Sequence, residues 1–275
     1  MSTKIHRVVF MISDGTGITV QSFGKSLLTQ FSNLDASIQR YSYIDSVEKA
    51  EALVQTINQC YSTTLVNPLI LMTLVDPAIS AVIKQAHGCC FDLFNVFIEQ
   101  LEAELGQTAS DTMGRAYALA DNKTYDQRIA AINYALASDD GLNPVSYAQA
   151  DVLLIGVSRC GKTPTCLYMA LSFGVFAANY PFAEDNFNHT SLPKILRQYK
   201  DKLFGLTIDP IRLQHIRTER RPNTIYSSLE QCRREVADVE AMYQQEKIPF
   251  INSTHYSIEE IATKILSITK IHRRI

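Results

Sequence analysis

Short, wholly apolar runs alternate with stretches of helical period along this chain. Val8 to Ile12 is apolar throughout, the pattern of a strand buried on both faces of a parallel sheet. It runs into Ser13-Asp14-Gly15-Thr16-Gly17 and then into a helical pattern from about Ile18 to Phe31. Ser46 to Cys60 predicts a helix and Pro68 to Val75 a second buried strand. Pro77 to Ala86 and Phe91 to Leu105 predict two more helices, and in the latter Phe94, Phe97, Ile98, Leu101 and Leu105 form a stripe expected to pack into the core. Residues 106–123 are polar and irregular and predict a loop or lid. Tyr125 to Ala137 returns to helix, and SDDGLNPVS after it is rich in turn formers.

Asp151 to Ile155 opens the second half with another buried strand, followed by a glycine loop and a helix through Phe173. Val175 to Tyr180 and Leu203 to Ile208 predict further strands, and a long charged helix begins at Ser227 or Ser228 and ends near Glu246. Pro249 to Asn252 predicts a short strand, and Ser257 with Glu260 a capping box for the last helix. Such alternation implies an α/β protein with parallel sheets flanked by helices. The expected organisation is an N-terminal α/β domain over residues 1–145 and a C-terminal P-loop nucleotide-binding domain over 146–275. No internal repeat is visible, although both halves open with a strand and a glycine turn.

Composition narrows the function classes. The chain has 275 residues, 46 % hydrophobic and 20 % charged, and 26 Lys+Arg against 28 Asp+Glu give a net charge of −2. Nucleic-acid binders usually carry a basic excess, so that class is disfavoured, whereas phosphate enzymes need only a local positive site. Cys60, Cys89, Cys90, Cys160, Cys166 and Cys232 form no CxxC pair and no zinc spacing, which points to reduced thiols. No signal peptide and no membrane-length apolar segment is present, so a cytoplasmic protein is expected. The sequence does not give the oligomeric state, and base rates alone allow a homodimer.

Gly156-Val157-Ser158-Arg159-Cys160-Gly161-Lys162-Thr163 matches GxxxxGK[ST]. Glycines permit a tight loop whose backbone N–H groups turn toward an anion, and the following helix adds its positive end. Lys162 is expected to reach the phosphates and the Thr163 hydroxyl to ligate Mg²⁺. Chance yields about one such match per hundred chains of this length, and here a strand precedes it and a helix follows. Asp209, after the apolar run Leu203 to Ile208, is either a Mg²⁺-holding or proton-accepting acid or a cap ahead of Pro210. Arg212, Arg217, Arg220 and Arg221 either stabilise phosphoryl charge or form a solvated helix face. His215 and His255 read as exposed or structural. The turn at Asp14 is either a second anion site or a turn without a ligand.

The blocks ISDGTGIT, YDQRIAAINYALASDDG, GVSRCGKTPTCLYMA, ANYPF, FGLTIDP, SLEQCRREVADVEAMY, PFINST and YSIEEIATKI resemble the bacterial pyruvate, phosphate dikinase and phosphoenolpyruvate synthase regulatory proteins. The likeness runs from the first strand to the last helix, and SRCGKTP and the arginine-ended tail are most similar to the synthase branch. It implies a bifunctional enzyme that inactivates its target by phosphorylating a threonine with ADP. The same enzyme reactivates the target by attack of inorganic phosphate on the phosphothreonine, releasing pyrophosphate. It places ADP on Gly156 to Thr163. The mechanism expected from the residues themselves has Lys162 and the loop amides holding the ADP phosphates, Thr163 and Asp209 as candidates for Mg²⁺, and Asp209 or Asp14 orienting the threonine hydroxyl. The implied partner is phosphoenolpyruvate synthase, with pyruvate, phosphate dikinase as the alternative. Classical protein-kinase signatures VAIK, HRD and DFG are absent. Two rivals remain at this level, a P-loop kinase of a small molecule such as a nucleoside or shikimate, and a nucleotide-sensing module without catalysis.

Overall fold

The computed structural model describes residues 4–110, 122–141, 144–182 and 191–275. The chain forms two compact units, residues 1–119 and 120–275.

The first unit runs β1 (Ile5–Ser13), α1 (Ile18–Leu28), β2 (Leu34–Tyr41), α2 (Val47–Thr64), β3 (Leu69–Thr73), α3 (Pro77–Ile83), β4 (Cys89–Asp92) and α4 (Asn95–Leu105). Its strands are all parallel in the order β2-β1-β3-β4. Side chains alternate across the sheet. Phe10, Ile12, Ile70 and Met72 pack on Leu53 and Ile57 of α2 and on Ile79 and Ile83 of α3. Val9, Met11 and Leu71 project to the other side, under Val20 of α1.

Two elements here depart from expectation. β2 carries the half-polar sequence LDASIQRY with alternating burial, because it is an edge strand, and the apolar-run criterion passes over it. β4 takes residues 89–92, which shortens the helix expected from Phe91. Asp92 Oδ1 accepts the Asn95 amide at 3.1 Å and starts α4 there. The stripe on α4 is not core packing, since the helix buries no residue, and Phe97 and Leu105 are 52 % and 69 % exposed.

The second unit runs α5 (Asn122–Ala137), β5 (Val152–Val157), α6 (Lys162–Phe173), β6 (Ala177–Phe182), α7 (Lys194–Arg197), β7 (Leu203–Thr207), α8 (Pro210–Arg220), α9 (Leu229–Glu246), β8 (Phe250–Asn252) and α10 (Ile258–Thr269). Its parallel strands follow β6-β5-β7-β8, the same order as in the first unit. The repeat that the sequence hides is therefore topological. β5 is buried along its whole length, as its apolar run requires.

α6 lies against β5 and β6 and between α5 and α10, while α9 packs on β5 and β7 beside α8. The division falls between residues 119 and 120, not near 145. α5 belongs to the second unit because Ala131, Tyr134 and Ala135 join its core together with Tyr147, which lies beyond the turn-rich segment. The Ser257–Glu260 capping box is present at α10, and Ser228 caps α9 through the Gln231 amide. Most of the polar stretch 106–123, namely 111–121, lies outside the described residues.

Candidate functional site

The loop 156–163 joins β5 to α6, where the connections from β5 and β7 diverge, and the crevice outside the strand ends is the usual ligand position of such a sheet. Gly156 passes so close to β7 that a Cβ there would overlap the Leu206 carbonyl oxygen. Arg159 and Gly161 take φ values of 78° and 98°, which close the loop, and Gly161 caps α6. Lys162 is 4 % exposed, and its Nζ donates to the carbonyls of Gly156 and Val157, at 3.0 Å each.

Two further carbonyls of the loop, and that of Ile155 just before it, are held from below. Ile155 O accepts from Tyr243 OH at 2.9 Å, Ser158 O from Arg217 Nη2 at 3.2 Å, and Cys160 O from Ser253 Oγ at 3.0 Å. Ser253 Oγ also meets Thr207 O at 3.0 Å and so ties the loop to β7. The amides of Ser158, Arg159 and Gly161 find no acceptor among the described residues. Unpaired donors at the start of a 12-residue helix make an anion cradle.

Arg217 corrects the expectation for the arginine-rich segment. It neither faces a phosphate nor lies in solvent; it is fully buried beneath the loop. Its Nη2 pairs with Glu235 Oε2 at 2.6 Å, its Nη1 donates to Tyr226 O at 3.0 Å, and its guanidinium stacks over the Tyr226 ring at 4.2 Å. Gln231 Nε2 holds the other Glu235 oxygen at 2.8 Å, and Tyr226 OH meets Ser158 Oγ at 3.1 Å. Burial by itself would lower the Arg217 pKa, but the Glu235 hydrogen bond and charge leave it raised, so the ion pair persists. Its position one turn after buried Leu213 was the signal for an inward-facing arginine. Arg212, Arg220 and Arg221 are exposed, as are His215 and His255.

The structure distributes the expected acids differently. Asp209 is the N-cap of α8, and its Oδ1 accepts from the Ile211 and Arg212 amides at 2.9 Å each, while its own amide donates to Thr254 Oγ1 at 2.7 Å. Its Oδ2 has no hydrogen-bond partner among the described residues. Asp14, in the first unit, spends Oδ2 on the Val75 amide at 2.7 Å.

The carboxylate that meets the loop is Asp139. Its Oδ1 accepts from Thr163 Oγ1 at 2.8 Å and from Asn179 Nδ2 at 2.5 Å, and the Asn179 oxygen accepts the Asp140 amide at 3.0 Å. Asn179 is fully buried at β6 and fixes that carboxylate from behind. Sequence reasoning missed Asp139 and Asn179; SDDG reads as a turn, and nothing in its spacing links it to Thr163. Cys160 and Cys166 are buried and their thiols are raised by burial, so neither is poised as a nucleophile.

Residues 9–266 match the family described as Kinase/pyrophosphorylase. A protein of Legionella pneumophila (strain Corby) is 58 % identical over 269 residues, covering 98 % of this chain and 99 % of its own. A Pseudomonas fluorescens (strain Pf0-1) protein is 50 % identical over 268 residues, covering 98 % of each chain. A Pseudomonas aeruginosa (strain LESB58) protein is 48 % identical over 271 residues, covering 98 % of this chain and 99 % of its own. All three bear the name "Putative phosphoenolpyruvate synthase regulatory protein". No helix among the described residues is long and apolar enough to cross a membrane.

Proposed function

The chain belongs to the kinase/pyrophosphorylase family, and from that premise we propose that it is a cytoplasmic, bifunctional phosphotransferase that regulates phosphoenolpyruvate synthase. In the forward direction it transfers the β-phosphoryl group of ADP to a threonine of the synthase. In the reverse direction inorganic phosphate removes that group as pyrophosphate. The observation that carries the reading is the set of unpaired amides of Ser158, Arg159 and Gly161 beside Lys162, at the start of α6. The relatives' names supply the target.

Gly156 to Thr163 is the ADP phosphate cradle in this reading. Lys162 releases its two loop carbonyls and turns its ammonium to the phosphates, where the positive charge offsets the charge spreading over the transferred group. The threonine oxygen attacks the β-phosphorus, the bond to the AMP oxygen breaks, and AMP leaves. The hydroxyl proton passes to the Asp139 carboxylate, which Asn179 keeps oriented. In the reverse direction an oxygen of hydrogen phosphate gives up its proton to Asp139 and attacks the phosphothreonine phosphorus, the bond to the threonine oxygen breaks, that oxygen takes the proton from Asp139, and pyrophosphate leaves. Asp139 thereby takes the role that the sequence assigned to Asp209 or Asp14.

The donor set also fits Mg²⁺, which takes one or two protein oxygens beside substrate phosphates. The Thr163 hydroxyl and the uncommitted Asp209 oxygen would hold it, and its charge would neutralise phosphate oxygens.

The test is incubation with the synthase, Mg²⁺ and ADP labelled in the β-phosphate. The expected result is labelled threonine on the synthase, released as labelled pyrophosphate on addition of phosphate, with both lost in Lys162→Ala. Label on pyruvate, phosphate dikinase alone would replace the target. ATP turnover on a small molecule, with neither enzyme labelled, would overturn the reading.

A further inference from the structure

The cations of the second unit are unevenly chosen. Between Leu203 and Glu246 the chain carries six arginines and no lysine, and all twelve of its lysines lie elsewhere. Protein interfaces favour arginine and are poor in lysine, because the planar guanidinium is weakly hydrated and forks onto carboxylates. Arg217 is committed to the anchor beneath the loop. The other five, Arg212, Arg220, Arg221, Arg233 and Arg234, are exposed and form no ion pair among the described residues. The acids among residues 210–234 are Glu219 and Glu230 alone, so this segment is positive on a chain whose net charge is −2.

The same segment adjoins the phosphate cradle. α8 leaves the end of β7 at Asp209, and the corner between α8 and α9 turns back onto the loop. There Tyr226 OH meets Ser158 Oγ at 3.1 Å, and Arg217 holds Tyr226 O at 3.0 Å. Arg220 and Arg221 lead into this corner. Arg233 and Arg234 lie in the second turn of α9, turned outward between the buried Cys232 and Glu235. At the crest, next to Tyr226, Ile225 is 76 % exposed. The corner is firmly built: Thr224 and Ser227 form a capping box, and Ser228 caps α9 through the Gln231 amide at 3.2 Å. An apolar side chain held out on a rigid corner among arginines has the composition of a protein-binding anchor.

An enzyme that phosphorylates a protein has to hold that protein beside its phosphate cradle. Contacts away from the reacting atoms do this without taking part in the transition state, and complementary charge speeds the encounter. A basic surface with an apolar crest is complementary to an acidic one.

We propose that the α8–α9 corner, with Arg220, Arg221, Ile225, Arg233 and Arg234, is the surface on which the protein substrate docks, through an acidic stretch near the threonine that it presents. The docking surface rests on the phosphotransferase reading of the loop 156–163.

Steady-state transfer from β-labelled ADP to phosphoenolpyruvate synthase, at low and at high salt, tests it in the double variant Arg220→Glu with Arg221→Glu. The expected result is a KM for the synthase raised at least tenfold, with kcat and ADP affinity kept. The fall of kcat/KM on adding salt should also be much shallower than in the wild type. Ile225→Ser should raise the KM and leave the salt dependence as it was. Lys247→Glu with Lys270→Glu makes the same change of net charge at the C-terminal ends of α9 and α10, and should behave as wild type. A KM unchanged by the arginine reversals, or raised as much by the lysine pair, would overturn the proposal and leave the phosphotransferase reading standing. Absence of label from the wild-type enzyme would overturn that reading, and the docking surface with it. An oligonucleotide retained by the wild type and released by the arginine reversals, at unchanged KM, would assign the surface to nucleic acid and overturn the proposal.

Discussion

The two units share one sheet order and place a glycine turn after the first strand of each, but they build the ground beneath it differently. In the second unit, α5 and α10 flank α6, and the core extends from Ala131 to Leu266. Under its loop lies a polar anchor, with Arg217, Ser253 and Tyr243 each holding a loop or strand carbonyl. In the first unit, the corresponding side of the sheet carries α1 and a small cluster of Val9, Met11, Val20 and Leu71. A groove of about 720 Å³ opens beside it, lined by Leu27, Phe31, Phe91 and Leu93 among others. Its turn is held by backbone bonds, Ser42 and Asp14. An amide cradle is a property of topology and glycine, whereas its rigidity depends on what the rest of the unit invests beneath it.

The largest effect should come from breaking the anchor. Arg217→Ala leaves Glu235 buried without its partner, and we expect the second unit to lose about 3–5 kcal/mol in urea unfolding. The pair Arg217→Met with Glu235→Leu should recover most of that stability but not phosphoryl transfer, because Ser158 O loses its donor; normal transfer would show that the anchor serves stability alone. Next, Gly156→Ala forces a Cβ onto the Leu206 carbonyl and should cost about 1–3 kcal/mol. Its counterpart Gly17→Ala meets the movable Ser42 hydroxyl and a φ of 78°, so about 1–2 kcal/mol is expected in the first unit's transition. Equal losses at the two glycines would remove the distinction between a pinned and a braced turn. The smallest effect belongs to Asp209, whose replacement by Ala should cost about 1 kcal/mol of cap energy. Asn, an equally good cap, should restore stability, which separates capping from chemistry in the measured melting temperatures.

What the sequence disclosed follows from how each element is buried. β5 and β7 are covered on both faces, so their apolar runs are unbroken, and the loop after β5 follows a fixed spacing. β2 and β4 are edges, where half-polar or very short segments suffice, and they leave no such run. The α4 stripe has helical period but no covering element among the described residues, since periodicity reports a face and not its partner. Asp209 ends an apolar strand in the manner of a catalytic acid, yet Pro210 after it equally demands a cap, and its Oδ1 went to the cap. Asp139 meets Thr163 across 24 residues of chain and Asn179 across 40, and no local pattern encodes such a meeting.

The proposed mechanism requires that the loop 156–163 and Asp139 act as one phosphoryl-transfer site. Its most direct test is single-turnover transfer from β-labelled ADP to the synthase, with Asp139→Asn compared with wild type and with Asp209→Asn. Asp139→Asn is expected to slow transfer by roughly 10²–10⁴-fold while ADP still binds, with a much smaller effect from Asp209→Asn. Transfer at the wild-type rate by Asp139→Asn, with loss of transfer in Asp209→Asn, would contradict it.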